Sequence, residues 1–166
     1  MKPLEGLYLI LTDPVIGYER TAQVAVDAHV PFLQLRMKNA QPETRLHQAQ
    51  RLRDITRGTQ TALIINDHLE TAMEVDADGV HFGQQDGSIK EARKRWNAPH
   101  KWIGLSTHNH QQAQAAQAAG ADYIGIGPIY ATQSKSNPDP VIGVAEGGRI
   151  AASVNCPSAA IRGIQI

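Results

Sequence analysis

The stretch Ala62-Leu63-Ile64-Ile65-Asn66-Asp67-His68 is an apolar run that ends abruptly in three polar residues. Short runs rich in Ile and Leu are typical of strands buried on both faces of a parallel sheet. Four further segments have the same form and also close on polar residues; they are 34–38, 79–86, 104–108 and 125–135. In a parallel α/β barrel all strands end on one face, so these polar residues would meet at one site. The pattern predicts an enzyme.

The composition fits one globular domain over residues 1–166, with 42% hydrophobic residues. A chain of this length can bury roughly 70% of its unfolded surface. The 16 basic and 16 acidic residues cancel without runs of like charge, which argues against a nucleic-acid or membrane partner and favours a small molecule. Cys156 is the only cysteine, and stretch 6–12 is too short for a signal or spanning helix. We therefore expect a cytoplasmic protein.

Strand-like and helix-like segments alternate along the whole chain. The predicted strands are 6–12, 32–36, 62–66, 79–82, 102–106, 123–127 and 158–161. The predicted helices are 17–29, 42–57, 69–75, 88–96, 110–119 and 145–154. This alternation indicates an α/β fold, either a closed barrel or an open doubly wound sheet. The barrel is favoured, because an open sheet concentrates its ligand at one switch point, usually after a glycine-rich first loop.

The number of repeats falls short of a complete barrel. A (β/α)8 TIM barrel has eight strands and typically about 250 residues, whereas the pattern yields seven strands before Ile166. We therefore expect a TIM barrel truncated after about strand 7. The long irregular segment 130–144 is typical of a functional or mobile loop, and we interpret it as covering the substrate.

Six motifs in this order resemble the thiamine phosphate synthase family over nearly the whole chain. They are Leu7-Tyr8-Leu9-Ile10-Leu11-Thr12-Asp13, Gln34-x-Arg36-x-Lys38, Asn66-Asp67, Ala77-Asp78-Gly79-Val80-His81-x-Gly83-Gln84-x-Asp86, Ser106-Thr107-His108 and the segment from Gly120 to Lys135. The resemblance implies a (β/α)8 barrel that joins a pyrimidine diphosphate to a thiazole phosphate and releases pyrophosphate. It also implies that the diphosphate ionises before the thiazole nitrogen attacks, so no general base is required.

Cationic residues in these motifs suit a diphosphate leaving group, whose charge must be balanced as the carbon–oxygen bond breaks. Arg36 and Lys38 lie two residues apart at a strand end, which would place both side chains on one face. Lys135 would close on the same anion from the long loop. With Ser106 as a neutral donor, these three residues form the predicted catalytic group. Taken without the other motifs, Arg36 and Lys38 would more often be a solvated rim pair.

Two carboxylates, Asp67 and Asp86, end the third and fourth predicted strands. Carboxylate oxygens are ligands that Mg²⁺ takes, together with phosphate and water. We therefore predict a Mg²⁺ site formed by these two residues. Asp67 also has a purely structural interpretation, as a cap for the helix that begins near Leu69.

The remaining predicted substrate contacts come mainly from the resemblance, which implies that Gln34 and Asn66 orient the pyrimidine. Substrate-binding residues are predicted at Gln34, Arg36, Lys38, Asn66, His81, Ser106, Thr132, Ser134, Lys135 and Gly163. His81 is a secondary candidate, because a histidine inside an apolar strand is more often a hydrogen-bonded interior residue. The spacing of His108 and His110 would suit a transition metal, but no third ligand is evident.

Departures from the family pattern concern mainly the thiazole half of the site. The family usually carries Ile-Gly-Gly-Ile where this chain has Ile161-Arg162-Gly163-Ile164, and the resemblance places the thiazole phosphate here. Arg162 would either obstruct that phosphate or supply a charge for it. His29 stands where glycine is common, and Ser134 replaces the commoner threonine but keeps the hydroxyl.

Three functions remain open at this level. The first is thiamine phosphate synthesis, and the second is an impaired family member that binds the pyrimidine diphosphate without turnover. The third is a thiazole tautomerase on the same scaffold, which would have no diphosphate to bind. A barrel without its eighth strand would expose strand edges, which predicts a homo-oligomer formed through that open edge.

Overall fold

The computed structural model describes residues 4–131 and 139–164, in which seven strands alternate with six helices. The strands are β1 (Tyr8–Leu11), β2 (Phe32–Leu35), β3 (Ala62–Asn66), β4 (Gly79–Phe82), β5 (Trp102–Thr107), β6 (Tyr123–Ile126) and β7 (Ser158–Ala160). The helices are α1 (Tyr18–Asp27), α2 (Pro42–Thr56), α3 (Leu69–Glu74), α4 (Ile89–Arg95), α5 (His110–Ala118) and α6 (Gly143–Ala152). Every predicted element is confirmed, and the bounds differ by at most two residues. No helix in the described ranges combines the length and apolar character needed to cross a membrane.

The chain forms two compact units, and the strands are parallel neighbours within each. The first unit contains residues 5–81 and 96–102, and the second is built mainly from 82–95 and from Ile103 onward. In the first unit β1 pairs with β2, β2 with β3 and β3 with β4. In the second unit β6 lies between β5 and β7. The strand order thus follows the chain order without the reversal of a doubly wound sheet. This is the repeat of a TIM-type α/β barrel, as predicted; that residues 1–166 form one domain stays a prediction.

Strands β2 to β6 are buried on both faces almost throughout, which explains why they read as continuous apolar runs, whereas most residues of β1 and β7 are half-buried or exposed. All four residues of β2, of β4 and of β6 are buried, and Leu33, Ile64 and Ile65 are fully so. In the second unit Ile103 and Ile124 have no exposed surface. Each fully buried Leu or Ile contributes roughly 1.5–3 kcal/mol relative to exposure. The strand ends are thereby held on a rigid scaffold.

An aspartate directly before β4 ties three elements of the first unit together. Oδ2 of Asp78 accepts a hydrogen bond from the backbone N–H of Leu63, at 2.8 Å, and from Nη1 of Arg53, at 2.9 Å. Leu63 belongs to β3 and Arg53 to α2, so one carboxylate links a helix and the strand that follows it to the next strand.

The second unit contains the same tie two repeats further along the chain. Asp122, directly before β6, accepts from the N–H of Ile103 in β5, at 2.7 Å, and from Nη2 of Arg93 in α4, at 2.5 Å. The Ala-Asp pairs in two of the family motifs therefore have a structural role, because they fix each strand to its predecessor.

A left-handed backbone conformation at His29 explains why the family commonly has glycine there. His29 has φ of 54° and is exposed, in the turn between α1 and β2. This conformation costs L-residues roughly 1–2 kcal/mol, and glycine adopts it freely. We expect His29→Gly to raise the free energy of unfolding by about 0.5–1 kcal/mol. Urea denaturation checks this, with His47→Gly as control.

The control is matched because His47 is also exposed but lies inside α2. Glycine inside a helix is destabilising by roughly 0.5–1 kcal/mol, so the same substitution should have opposite signs at the two positions. A loss of stability in both variants would contradict the strain at His29.

Candidate functional site

A polar cluster lies where β3 ends in the first unit. Nζ of Lys38 is 3.0 Å from Oδ2 of Asp67, and Nδ2 of Asn66 donates to the same oxygen at 2.5 Å. The Asp67 side chain is only 8% exposed, whereas Lys38 is 37% exposed. The structure thus brings together three predicted site residues from two motifs, around one nearly buried carboxylate.

The backbone at Asp67 is shaped for this arrangement. Asp67 has φ of 62°, and its N–H donates to the carbonyl of His81 at 2.8 Å. Aspartate is among the few residues that adopt the left-handed conformation routinely. Helix α3 begins two residues later at Leu69, with His68 at its N-cap position and no capping bond from the His68 side chain. The turn places the carboxylate beside Lys38 and Asn66.

Two buried polar side chains and the half-buried Tyr8 lie next to this cluster. Gln34 is 2% exposed, and its Nε2 donates to the hydroxyl of Tyr8 at 2.8 Å. The Tyr8 ring meets the ring of His81 edge-on, with centroids 6.5 Å apart. His81 is itself buried, and it pairs in register with Asn66. Gln34 and His81 are therefore interior residues linked through Tyr8, a residue that the sequence analysis did not select.

Arg36 and Lys38 lie on a loop rather than on a strand. β2 ends at Leu35, and α2 begins at Pro42, so residues 36–41 connect them. The N–H of Arg36 donates to the carbonyl of Leu11 at 3.0 Å, which fixes the start of this loop at the end of β1. The expected alternation along a strand is thus not what places the two cations. They share a loop whose first residue is anchored.

In the second unit a tight turn follows β4 and carries Asp86. The N–H of Asp86 donates to the carbonyl of Gly83 at 3.2 Å, and a Cβ at Gly83 would collide with the Asp86 carboxylate. Nε2 of Gln84 donates to the carbonyl of Ser106 at 2.6 Å, which ties this turn to β5. These contacts explain why Gly83 and Gln84 belong to the motif, because both residues hold the turn that carries Asp86.

A second polar cluster of this unit centres on Asp139, which the sequence analysis did not select. Oδ2 of Asp139 lies 2.8 Å from Nη1 of Arg162 and 3.5 Å from Nε2 of His108. Nδ1 of His108 lies 2.5 Å from the carbonyl of Gly127 and donates to it. The guanidinium of Arg162 is therefore paired with a carboxylate. Only the structure places these residues together, because 23 positions separate Asp139 from Arg162.

The turn after β7 has one of the two glycines that the family usually carries at the expected thiazole phosphate site. Gly163 has φ of 68°, and a Cβ there would come within 2.6 Å of the Ala131 carbonyl oxygen, so glycine is required. Arg162 has φ of 70°, in the same left-handed region. This explains why the family usually has two glycines and shows that Arg162 is strained.

Several predicted site residues are not tested by the structure. Thr132, Ser134 and Lys135 lie outside the described residues, as does the central part of the long loop. The pairing of Asp67 with Asp86 around Mg²⁺ stays a prediction. Across residues 4–131 and 139–164 no group of three His, Cys, Asp or Glu side chains is arranged to hold a metal ion. His108 and His110 therefore have no third ligand of these types within the described residues.

Polar residues that follow the ends of parallel, buried strands define an α/β enzyme of the TIM-barrel type. Residues 7–166 match the family model described as thiamine monophosphate synthase. The chain belongs to this family.

Relatives in the curated proteins agree with this assignment. A thiamine-phosphate synthase of Halalkalibacterium halodurans is 39% identical over 153 residues, which cover 92% of this chain and 72% of that protein. One from Shouchella clausii is also 39% identical and covers 99% and 79%. The thiamine biosynthesis bifunctional protein ThiED of Geobacter sulfurreducens is 40% identical, and the match spans 97% of this chain but 32% of that protein.

A solved structure confirms the fold class. Thiamine phosphate pyrophosphorylase from Pyrococcus furiosus superposes with a TM-score of 0.83 at 31% identity, over 95% of this chain and 74% of that chain. The chain therefore has the TIM-type fold of this family, and it spans about three quarters of that relative.

Proposed function

We propose that this chain is a transferase that makes thiamine phosphate from 4-amino-2-methyl-5-hydroxymethylpyrimidine diphosphate and thiazole phosphate. The carbon–oxygen bond of the diphosphate breaks, and its electron pair leaves with pyrophosphate. The thiazole nitrogen then forms the new carbon–nitrogen bond. The single observation that carries the proposal is the cluster of Lys38, Asn66 and Asp67, which offers a cation, an amide and a carboxylate in one place.

The cations and buried polar groups of the first unit have separate roles in this proposal. Arg36 and Lys38 bind the diphosphate, because cations balance the charge that develops on the leaving group. Gln34 and Asn66, both buried, orient the pyrimidine through their amides. Ser106 adds a neutral donor, and Lys135 adds a further cation. No group has to remove a proton from the reacting atoms.

The carboxylates fit a magnesium ion in the chemistry of their donor atoms. Mg²⁺ takes one or two carboxylates and completes its shell with phosphate oxygens and water, so no cluster of three protein ligands is needed. Asp67 is nearly buried, and contacts with Lys38 and Asn66 hold it in one orientation. In our proposal Asp67 and Asp86 hold the ion. When bound, Mg²⁺ neutralises charge on the leaving pyrophosphate.

Product analysis by mass spectrometry tests the activity. The full chain is incubated with both substrates and Mg²⁺, and the control is Lys135→Ala. Thiamine phosphate from the chain, but much less from the control, is the expected result. A folded chain that forms no product, with binding of the diphosphate retained, would replace this function by the second candidate.

That second candidate is a protein that binds the pyrimidine diphosphate without turnover. The observation that favours it is Arg162 in the turn where the family usually has glycine. Calorimetric titration with the diphosphate and Mg²⁺ detects such binding independently of activity. No contact in the described residues favours a tautomerase, which would need neither the Lys38–Asp67 pair nor a metal.

The Arg162 side chain is expected to hinder the thiazole phosphate rather than bind it. Its guanidinium is paired with Asp139, and its backbone is held in a conformation that glycine adopts freely. We expect Arg162→Gly to lower the KM for thiazole phosphate by about tenfold and to leave the KM for the diphosphate unchanged. Initial-rate measurements check this. A higher KM for thiazole phosphate would instead show that Arg162 supplies charge to it.

We also propose a cytoplasmic location and self-association. A cytoplasmic location is supported by the single half-buried cysteine, Cys156, and by relatives that are biosynthetic enzymes. Self-association through an open strand edge is the second proposal, and the exposed apolar side chains Val144, in α6, and Ile164, after β7, offer apolar surface for it in the second unit. Light scattering over a range of protein concentrations would test the association.

A further inference from the structure

Arg45 is a buried charged residue next to the loop that carries Arg36 and Lys38. It lies in the first turn of α2, and only 8% of the residue is exposed. Nη1 of its guanidinium donates to the carbonyl of Ala40 at 3.1 Å. Burying a guanidinium is unfavourable unless it is paired and hydrogen-bonded, so this contact calls for an explanation.

The Arg45 contact continues into the loop. The N–H of Ala40, whose carbonyl Arg45 holds, donates to the carbonyl of Met37 at 3.4 Å. Lys38 follows Met37 directly and contacts Asp67 through its ammonium group. A chain of contacts thus leads from the Arg45 guanidinium to the backbone on either side of Lys38.

A second buried arginine on the same helix, Arg53, forms ion pairs, and the described contact of Arg45 differs from these. Arg53 is 9% exposed, and its guanidinium pairs with the carboxylates of Asp78, at 2.9 Å, and Asp76, at 3.6 Å. The described contact of Arg45 is to a neutral carbonyl. In both residues Nε is buried and makes no hydrogen bond in the described part of the chain. Arg53 is therefore held by ion pairs, whereas Arg45 holds a loop.

We propose that Arg45 is a positioning residue that fixes loop 36–41 and thereby aims Arg36 and Lys38 at the diphosphate. The fixing of the loop is independent of the substrate, and the last step rests on the proposed function. The guanidinium suits this role because its fork of donors is rigid and keeps its charge at all relevant pH values. Arg45 does not touch the substrate in this proposal; it acts through the loop.

The test compares Arg45→Met with Arg53→Met in the full chain. Both variants remove a buried guanidinium from α2, so a general loss of stability affects both. The first readout is amide hydrogen exchange of residues 37–41. The second is the affinity for inorganic pyrophosphate with Mg²⁺, measured by calorimetry well below the unfolding temperature of each variant.

For Arg45→Met we expect loop exchange that is faster by about tenfold or more. We expect its pyrophosphate affinity to fall by about 10-fold, the effect typical of residues that orient a ligand-binding group. Arg53→Met should leave both quantities within about twofold of wild type, because the Arg53 guanidinium pairs with Asp78 and Asp76 and not with loop 36–41. Arg45→Lys should restore most of the loop protection, since an ammonium group can also donate to the Ala40 carbonyl.

The proposal is overturned if loop exchange in Arg45→Met equals that of wild type, or if Arg53→Met changes the loop as much. If the methionine variant does not fold, Arg45→Gln replaces it, because glutamine keeps a donor but lacks the reach. If wild type does not bind pyrophosphate, the proposed function loses its support, and the exchange comparison still decides the role of Arg45.

Discussion

Asp67→Asn is expected to lower the rate of thiamine phosphate formation by at least about 100-fold, the scale of losing one preorganised charge contact in an active site. The substitution removes the negative charge that contacts Lys38 and, in our proposal, Mg²⁺. Asparagine adopts the left-handed backbone that Asp67 requires, with φ of 62°, so the turn after β3 should persist. The measurement is kcat/KM for the diphosphate at saturating thiazole phosphate, repeated over a range of Mg²⁺ concentrations.

A matched control for this variant is Asp76→Asn. Asp76 lies in the same unit and is also an aspartate in the left-handed region, with φ of 53°, but its partners are Lys101 and Arg53. It should keep its activity within about twofold while losing about 1 kcal/mol of stability from weakened hydrogen bonds. Equal losses of activity in both variants would contradict a specific role for the Asp67 charge.

Local patterns were sufficient to predict the strands and the polar residues at the end of β3. Buried strands read as continuous apolar runs, and the two faces of β3 are both covered, so its end at Asn66 was visible in the sequence. Asn66 and Asp67 are adjacent and lie at this end, whereas the contact between Lys38 and Asp67 was not predicted. Local rules were less useful for Lys38 itself, because it lies on a loop whose shape depends on contacts with other segments.

The residues that sequence reasoning missed are those whose partners lie far along the chain. Tyr8 meets Gln34 across 26 positions, and Asp139 meets Arg162 across 23. A tyrosine in an apolar strand or an aspartate in a polar loop has no local pattern that identifies its partner. Arg45 was overlooked for a different reason: an arginine in a polar helix normally indicates an exposed residue, and only the structure shows that it is buried.

Lys101→Met is expected to have the largest effect on stability. Lys101 is 6% exposed, and its Nζ donates to Oδ1 of Asp76 at 2.6 Å and to the carbonyls of Ala77, at 2.7 Å, and Asp76, at 3.3 Å. Methionine keeps the aliphatic packing near Trp96 but leaves these acceptors without their ammonium donor. We expect a loss of about 2–4 kcal/mol, below the upper end for a buried pair because the Asp76 side chain is 64% exposed to water. Urea denaturation of Lys101→Met is compared with Lys94→Met, an exposed lysine that should change stability by less than about 0.5 kcal/mol.

Acid unfolding provides a second measurement of the same pair. The hydrogen bond from Lys101 is the main cause that lowers the pKa of Asp76 below its ordinary value of 3.8. A carboxyl group whose pKa is lower in the folded state stabilises the fold above its unfolded pKa, and this contribution is lost as the pH falls through the folded pKa. In Lys101→Met the pKa of Asp76 should return toward its ordinary value. The free energy of unfolding should therefore decrease less between about pH 5 and pH 2 in Lys101→Met than in Lys94→Met. Equal decreases in the two variants would show that the Lys101–Asp76 pair does not contribute to acid sensitivity.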